Sequence, residues 1–187
     1  MFRYCPSCAS ENIFFEGGKK FRCPDCGFVY FHNVAAAAGC IIDTGKALLL
    51  LERGKEPALG KLDVPGGFVD AGEGAIEALI RECREEIGWA PAASELRFFA
   101  SFANRYPYKN IDYNTCDLFF CATGFFMPCL QSEKGGVHLG SDFDVQNLKL
   151  QKEEIAAAHL VAYDKIKLDE LAFPSTRRAV GAYLRQL

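Results

Sequence analysis

The stretch Gly67-Phe68-Val69-Asp70-Ala71-Gly72-Glu73-Gly74-Ala75-Ile76-Glu77-Ala78-Leu79-Ile80-Arg81-Glu82-Cys83-Arg84-Glu85-Glu86-Ile87-Gly88-Trp89 decides the reading of this chain. Residues 74–87 predict a helix: at about 100° per residue, Ile76, Ile80, Cys83 and Ile87 fall within roughly 60° and form a buried stripe. Gly88 supplies a C-cap. Glu82, Glu85 and Glu86 share a neighbouring sector, where i, i+3 and i+4 offsets make them surface neighbours. Three adjacent carboxylates repel by a few tenths of a kcal/mol per pair, at the helix end where the dipole disfavours negative charge. Nothing in folding asks for this. A divalent cation would turn the repulsion into affinity, and hard carboxylate oxygens suit Mg²⁺ or Mn²⁺. On these residues alone, a solvated acidic face is an equally open reading.

Outward from the helix, strand-like and helix-like segments alternate from Val34 on, as in a chain that mixes α and β structure. Val34–Ile42 and Ala47–Leu51 flank Asp43-Thr44-Gly45-Lys46 and predict a hairpin. Leu62–Val69 carries Pro65-Gly66-Gly67 in its middle. Leu96–Phe102 and Asp117–Phe126 predict strands, the second buried because it is almost continuously apolar. Residues 128–150 predict an irregular excursion, His159–Tyr163 a last strand, and Ser175–Leu187 a helix with Val180, Tyr183, Leu184 and Leu187 on one face.

Residues 1–32 differ in kind. Cys5-Pro6-Ser7-Cys8 and Cys23-Pro24-Asp25-Cys26-Gly27 are two Cys-x-x-Cys turns, and each can aim two sulfurs at one tetrahedral ion. Local disulfides or redox pairs are the alternative. So short a section cannot bury enough surface to fold unaided, which gives a metal a reason to be there. The pattern resembles a zinc ribbon. A four-sulfur shell leaves no open position for water, so Cys5, Cys8, Cys23 and Cys26 are expected to hold one structural Zn²⁺. The expected domains are therefore 1–32, the ribbon, and 33–187.

Composition bounds the rest. The 187 residues are 50% hydrophobic and 24% charged, which fits a globular core rather than disorder. A net charge of −3 excludes a strongly basic nucleic-acid binder. Nine cysteines are an odd number and too sparse for a disulfide scaffold. The opening residues hold no secretory signal, and no run approaches the roughly 20 apolar residues of a membrane span. A reducing, cytoplasmic setting without a membrane partner is the expectation. Cys40, Cys83, Cys116, Cys121 and Cys129 follow no ligand spacing and are read as buried small hydrophobes.

The spacing of Gly67, Glu73, Arg81-Glu82, Glu85-Glu86 and Gly88 resembles a complete Nudix box, with Cys83 and Trp89 as less usual apolar choices. The resemblance implies an α+β fold: an α/β/α sandwich around a mixed sheet, here preceded by the ribbon. It implies an enzyme that cleaves the pyrophosphate of a nucleoside diphosphate linked to another moiety, such as NADH, FAD or ADP-ribose. One to three Mg²⁺ or Mn²⁺ ions would be held by Glu82, Glu85, Glu86 and the Gly67 carbonyl. Arg81 and Glu73 would fix the loop against the helix, with Glu85 favoured as general base. A ribbon followed by the box resembles the NADH pyrophosphatase branch. In that branch a later metal-binding glutamate precedes a strand, which points to Glu154 in Glu154-Ile155-Ala156-Ala157-Ala158. The branch's Ser-Gln-Pro-Trp-Pro-Phe-Pro-x-Ser element is replaced here by Ser101-Phe102-Ala103-Asn104-Arg105-Tyr106-Pro107-Tyr108-Lys109, so NAD(H) specificity is not implied. Tyr106 and Tyr108 can stack on a base and Arg105 can meet a phosphate; packing of a loop on the sheet is the alternative for these aromatics. Removal of a nucleotide cap from RNA 5′ ends and non-catalytic nucleotide sensing are the competing functions. Related enzymes are often homodimers.

Overall fold

The computed structural model describes residues 2–109, 111–122, 145 and 148–187. The chain forms two compact units, Met1–Val34 and Ala35–Leu187.

The first unit is a three-stranded antiparallel sheet: β1 (Phe14–Glu16), β2 (Lys20–Arg22) and β3 (Val29–Phe31). Its core is only Cys5, Phe21 and Cys23, with Ile13, Phe15 and Phe28 packed beside them. So small a core needs a further tie. Part of it is Asp25, whose carboxylate accepts hydrogen bonds from Ser10 Oγ (2.5 Å) and Asn12 Nδ2 (2.6 Å), joining the two cysteine turns.

The second unit holds β4 (Ala35–Ile41), β5 (Ala47–Arg53), β6 (Leu62–Asp63), β7 (Gly66–Phe68), α1 (Ala75–Ile87), β8 (Leu96–Tyr108), β9 (Ile111–Ala122), β10 (Ile155–Ala162) and α2 (Pro174–Leu184). One sheet runs β10-β5-β6 and the other β7-β4-β9-β8. Only β4–β9 is parallel among these pairs, which makes the second sheet mixed. Apolar residues of α1 pack with Cys40, Ile42, Leu49 and Leu51, and those of α2 with Ile41, Leu48 and Leu50. Neighbouring residues of a strand face opposite sides. The two helices therefore cover opposite faces, and the expected layered α+β fold is found.

Three expectations change in detail. The turn at Asp43–Lys46 forms, with Thr44 N–H bonded to Ala47 O at 3.0 Å and Leu49 N–H to Ile42 O at 3.0 Å. Its strands then part into different sheets, because both are buried on both faces and each needs its own partners. Leu62–Val69 is likewise two short strands in different sheets, divided at Val64-Pro65. The buried stripe of α1 centres on Leu79, Cys83 and Ile87, with Ile76 and Ile80 only partly buried. Glu86 falls in that sector and is buried, while Glu85 faces out.

Strands β8 and β9 extend further than their apolar runs, pairing from Leu96↔Ala122 to Tyr108↔Ile111 with a register shift between Phe98 and Ala100. Tyr106 and Tyr108 thus lie on a strand rather than in a loop. Cys40, Cys83 and Cys121 are fully buried and Cys116 partly so; the Cys40 thiol beside Cys83 pushes the Cys83 thiol well above its ordinary pKa. Cys129, Phe126 and most of 128–150 lie outside the described residues.

Candidate active site

Helix α1 begins at Gly74, whose N–H donates to Glu77 Oε2 at 2.7 Å. It ends at Gly88, left-handed at φ 68°, with its N–H on Arg84 O. The carbonyls of Glu86 and Ile87 accept from the N–H groups of Gln151 (3.0 Å) and Lys149 (3.1 Å). These bonds fix the segment that carries Glu154. The Glu154 carbonyl accepts from Gly54 N–H at 2.6 Å, and its carboxylate pairs with Lys55 Nζ at 2.5 Å.

Arg81 is the hub of the box. Its guanidinium donates to Glu73 (2.7 and 3.2 Å), Phe68 O (3.0 Å), Glu82 Oε1 (2.8 Å) and Glu85 Oε2 (3.2 Å). The Glu73 bonds, with Glu82 beside them, hold Arg81 protonated well beyond its ordinary range. Glu73 also accepts from Asp70 N–H at 2.8 Å, so loop and helix are tied at both ends.

Glu86 Oε2 accepts from Gly66 N–H at 2.8 Å. Burial pushes its carboxyl well above the usual range, and the charges of Glu82, Asp63 and Glu154 add to the rise. Burial likewise raises Glu82, with Glu85 and Glu154 contributing. The four glutamates therefore act on one another electrostatically across one site. The Glu82 carboxylate lies directly against Gly67: a Cβ there would stand 2.4 Å from Glu82 Oε1. Oxygen donors under mutual repulsion suit a hard divalent cation by their chemistry, though among the described residues no three of these carboxylates bring their oxygens within 4.8 Å of one another.

These residues line one side of a cavity of about 360 Å³. Its far side holds groups that sequence reasoning missed: Asn104, Thr115, Asp117, Asp63 and Thr176. Thr176 Oγ1 donates to Asp63 Oδ1 (2.8 Å) and Ser175 Oγ to Asp117 Oδ2 (2.5 Å), both from the first turn of α2. Burial raises Asp63 to about 6. A lone acid in the apolar run Cys116-Asp117-Leu118-Phe119-Phe120 was the available signal. Arg53 and Lys55 also line the cavity and add positive charge. Of the three nucleotide-contact candidates, Tyr106 lines it, with its ring edge-on to Phe68 at 5.3 Å and tilted on Phe173 at 5.2 Å. Arg105 and Tyr108 do not. Arg105 pairs with Asp112, and Tyr108 sits at the exposed hairpin end beneath Lys109.

In the first unit the four cysteine sulfurs lie within 4.8 Å of one another. Cys5–Cys26 and Cys8–Cys23 are 3.6 and 3.7 Å apart. Zn–S bonds of about 2.3 Å in a tetrahedron require about 3.8 Å, whereas a disulfide requires about 2.05 Å. The Phe28 backbone N–H draws the Cys26 thiol down to about 7, while Cys8, hydrogen-bonded to it, is pushed up to about 12. The cluster is compatible with zinc.

Residues 32–180 match the model of the NUDIX domain. The chain belongs to the NUDIX family. An ADP-ribose pyrophosphatase of Methanocaldococcus jannaschii is 37% identical over 89 residues, 48% of this chain and 48% of that protein. An NAD-capped RNA hydrolase NudC of Chromobacterium violaceum is 31% identical over 108 residues, 58% of this chain and 39% of that protein. The matched segment thus spans about half or less of these relatives. The crystal structure of a NUDIX hydrolase from Nitrosomonas europaea superposes with a TM-score of 0.63 at 18% identity, covering 99% of this chain and 92% of the other. At that identity the likeness speaks to the NUDIX fold. Members of the family generally use a divalent metal ion, in keeping with the oxygen donors around Glu82. No helix among the described residues is long and apolar enough to cross a membrane.

Proposed function

We propose that the chain is a pyrophosphatase that hydrolyses a nucleoside diphosphate linked to another moiety, such as ADP-ribose, NADH or FAD. The observation that carries this reading is the placing of Glu82, Glu85 and Glu86 with Gly67 along one wall of the cavity. Glu82, Glu85, Glu86 and Glu154 with the Gly67 carbonyl would hold one to three Mg²⁺ or Mn²⁺ ions. When bound, these neutralise the diphosphate and lower the pKa of the attacking water. Glu85, whose side chain is 50% exposed, reaches solvent and accepts the proton of that water at a carboxylate oxygen. The new bond joins the water oxygen to phosphorus; the bond from phosphorus to the bridging oxygen breaks, and that oxygen leaves on the other phosphate. Glu86, buried and bonded to Gly66, positions the loop. Arg81 keeps Glu73, Phe68 O and the helix in one geometry. In this reading residues 33–187 are the catalytic domain, 1–32 a ribbon on one Zn²⁺, and the setting is cytoplasmic.

The Glu85→Gln variant tests it. Turnover on every substrate of the wild type is expected to fall by about 10²-fold or more, as for loss of a general base. Full turnover would overturn the assignment. A panel of nucleotide diphosphates and capped RNA, each with Mg²⁺ or Mn²⁺ and read as kcat/KM, selects among substrates. Equal inactivity on all would favour a sensor.

A further inference from the structure

Three buried side-chain atoms among the described residues have no hydrogen-bond partner: Asn104 Oδ1, Thr115 Oγ1 and Asp117 Oδ1. All three residues line the one cavity already described, on the side away from α1. Thr115 is 3% exposed and Asp117 9%. Asn104 stands directly opposite Thr115 across the β8–β9 pair, and Asp117 lies two residues on, which in a strand is the same face. Ser175 holds Asp117 by its other oxygen, Oδ2.

Buried polar groups are ordinarily paired, and three unpaired ones on one wall mark a place for a ligand. Their chemistry restricts that ligand. An Asp oxygen and an amide oxygen accept, and a hydroxyl can accept. The set therefore suits N–H or O–H donors and repels phosphate. Between this wall and Gly67 runs β4, whose Ala37, Ala38 and Gly39 line the cavity. From β7 across β4 to β9 is two strand spacings, about 10 Å. A nucleotide whose phosphates lie at Gly67 presents the far edge of its base at that distance, and its sugar hydroxyls fall short. Phe68 and Tyr106 line the same cavity, packed edge to face on one another, and supply its apolar, aromatic part.

We propose that Asn104, Thr115 and Asp117 form a base-reading subsite that accepts hydrogen bonds from an exocyclic amino group, so that adenine-type nucleotides are preferred over their deaminated counterparts. The proposal rests on the pyrophosphatase reading of the same cavity, and deepens it by naming the moiety bound away from the metals.

The test compares matched pairs: ADP-ribose against its hypoxanthine analogue, and NADH against deamino-NADH, with 2′-deoxy sugars as a third arm. The wild type is expected to prefer the amino-bearing member by about 10-fold or more in kcat/KM, since a site built to pair a donor rejects the analogue lacking it. In Asp117→Asn the amide keeps Ser175 and presents N–H to the base. The preference should fall by about 10-fold, towards the carbonyl-bearing hypoxanthine. Thr115→Val, read in parallel, reduces the preference without that inversion and serves if Asp117→Asn fails to fold by circular dichroism. Equal kcat/KM on both members of each pair overturns the subsite while leaving the hydrolase reading intact. Loss with 2′-deoxy sugars but not with hypoxanthine overturns it in favour of sugar recognition. If nothing is cleaved, the hydrolase reading falls. Calorimetric binding of ADP-ribose and its hypoxanthine analogue then decides the subsite, equal affinities overturning it.

Discussion

Adjacent glycines before α1 should fail in opposite ways. At Gly66, φ is +148° and a Cβ would stand 2.1 Å from Ala38 O and 2.8 Å from Gly39 Cα, both backbone atoms of β4. Neither can yield without parting β7 from β4, where Gly66 pairs with Gly39. The strained backbone costs about 1–3 kcal/mol. Displacing Gly66 N–H from buried Glu86 costs about 1.5–3 kcal/mol more. Gly66→Ala is therefore expected to lose about 3–6 kcal/mol, a large share of a domain's total. Gly67 has no positive φ, and its Cβ would meet only the end of the Glu82 side chain, at 2.4–2.9 Å. Glu82 can rotate away, so Gly67→Ala should change stability by less than about 1 kcal/mol. Its metal affinity should nevertheless fall by about 10–100-fold, because the displaced carboxylate is a proposed ligand. Urea unfolding of the metal-free variants reads the first quantity. Mn²⁺ titration by calorimetry reads the second. Wild-type Mn²⁺ affinity in Gly67→Ala would refute the ligand geometry, and wild-type stability in Gly66→Ala would refute the close approach of β7 to β4.

Asp43→Ala should cost about 2–5 kcal/mol in urea unfolding, because the hydroxyls of Tyr163 and Tyr183 donate to its carboxylate at 2.5 and 2.6 Å. Asp63 makes metal-free stability pH-dependent. Its folded pKa of about 6 lies above the unfolded value. The native state therefore keeps a proton that the unfolded state releases, and the contribution is full below about pH 4 and lost as pH rises through about 6. Two units amount to about 3 kcal/mol; Asp63→Asn should reduce the slope of denaturation curves taken from pH 4 to 7, the raised carboxyls of Glu82 and Glu86 supplying what remains. Cys23→Ser, at a fully buried sulfur, should abolish an expected one zinc per chain by metal analysis and open residues 1–34 to proteolysis. Retained zinc would remove the four-sulfur assignment.

What could be read from the sequence was what short-range chemistry dictates. The Gly88 cap of α1 and the cysteine turns depend on spacings of a few residues, and they stand where the spacing put them, whereas Glu154 just ahead of β10 came from the resemblance to the family. The partition of β4 and β5 into different sheets was not legible, since a turn signal reports chain reversal and not which strands then pair. Nor was the length of β8 and β9, where Arg105, Lys109 and Asp112 break the apolar alternation while the cross-strand pairing continues. Asp63, Asn104, Thr115 and Asp117 were missed for a related reason. Asn104, Thr115 and Asp117 come together only through the β8–β9 pairing, and Asp63 reaches the same cavity from the other sheet.

Arg81 joins these two levels. In the metal-free protein its guanidinium supplies the positive charge among Glu73, Glu82 and Glu85, as the bonds of 2.7–3.2 Å show. A divalent ion held by Glu82 and Glu85, as proposed, would compete for the same oxygens. Arg81 therefore partly offsets the repulsion within the box helix, and under the proposed function those carboxylates would pass to the stronger charge of a metal ion. Glu73 and Phe68 O retain the guanidinium when that happens. The loop then stays in place while the ligands change partner. Lys55 stands in the same relation to Glu154 on the other flank, so under the proposed function both cations would remain beside the cavity to meet a diphosphate once a metal engaged their carboxylates.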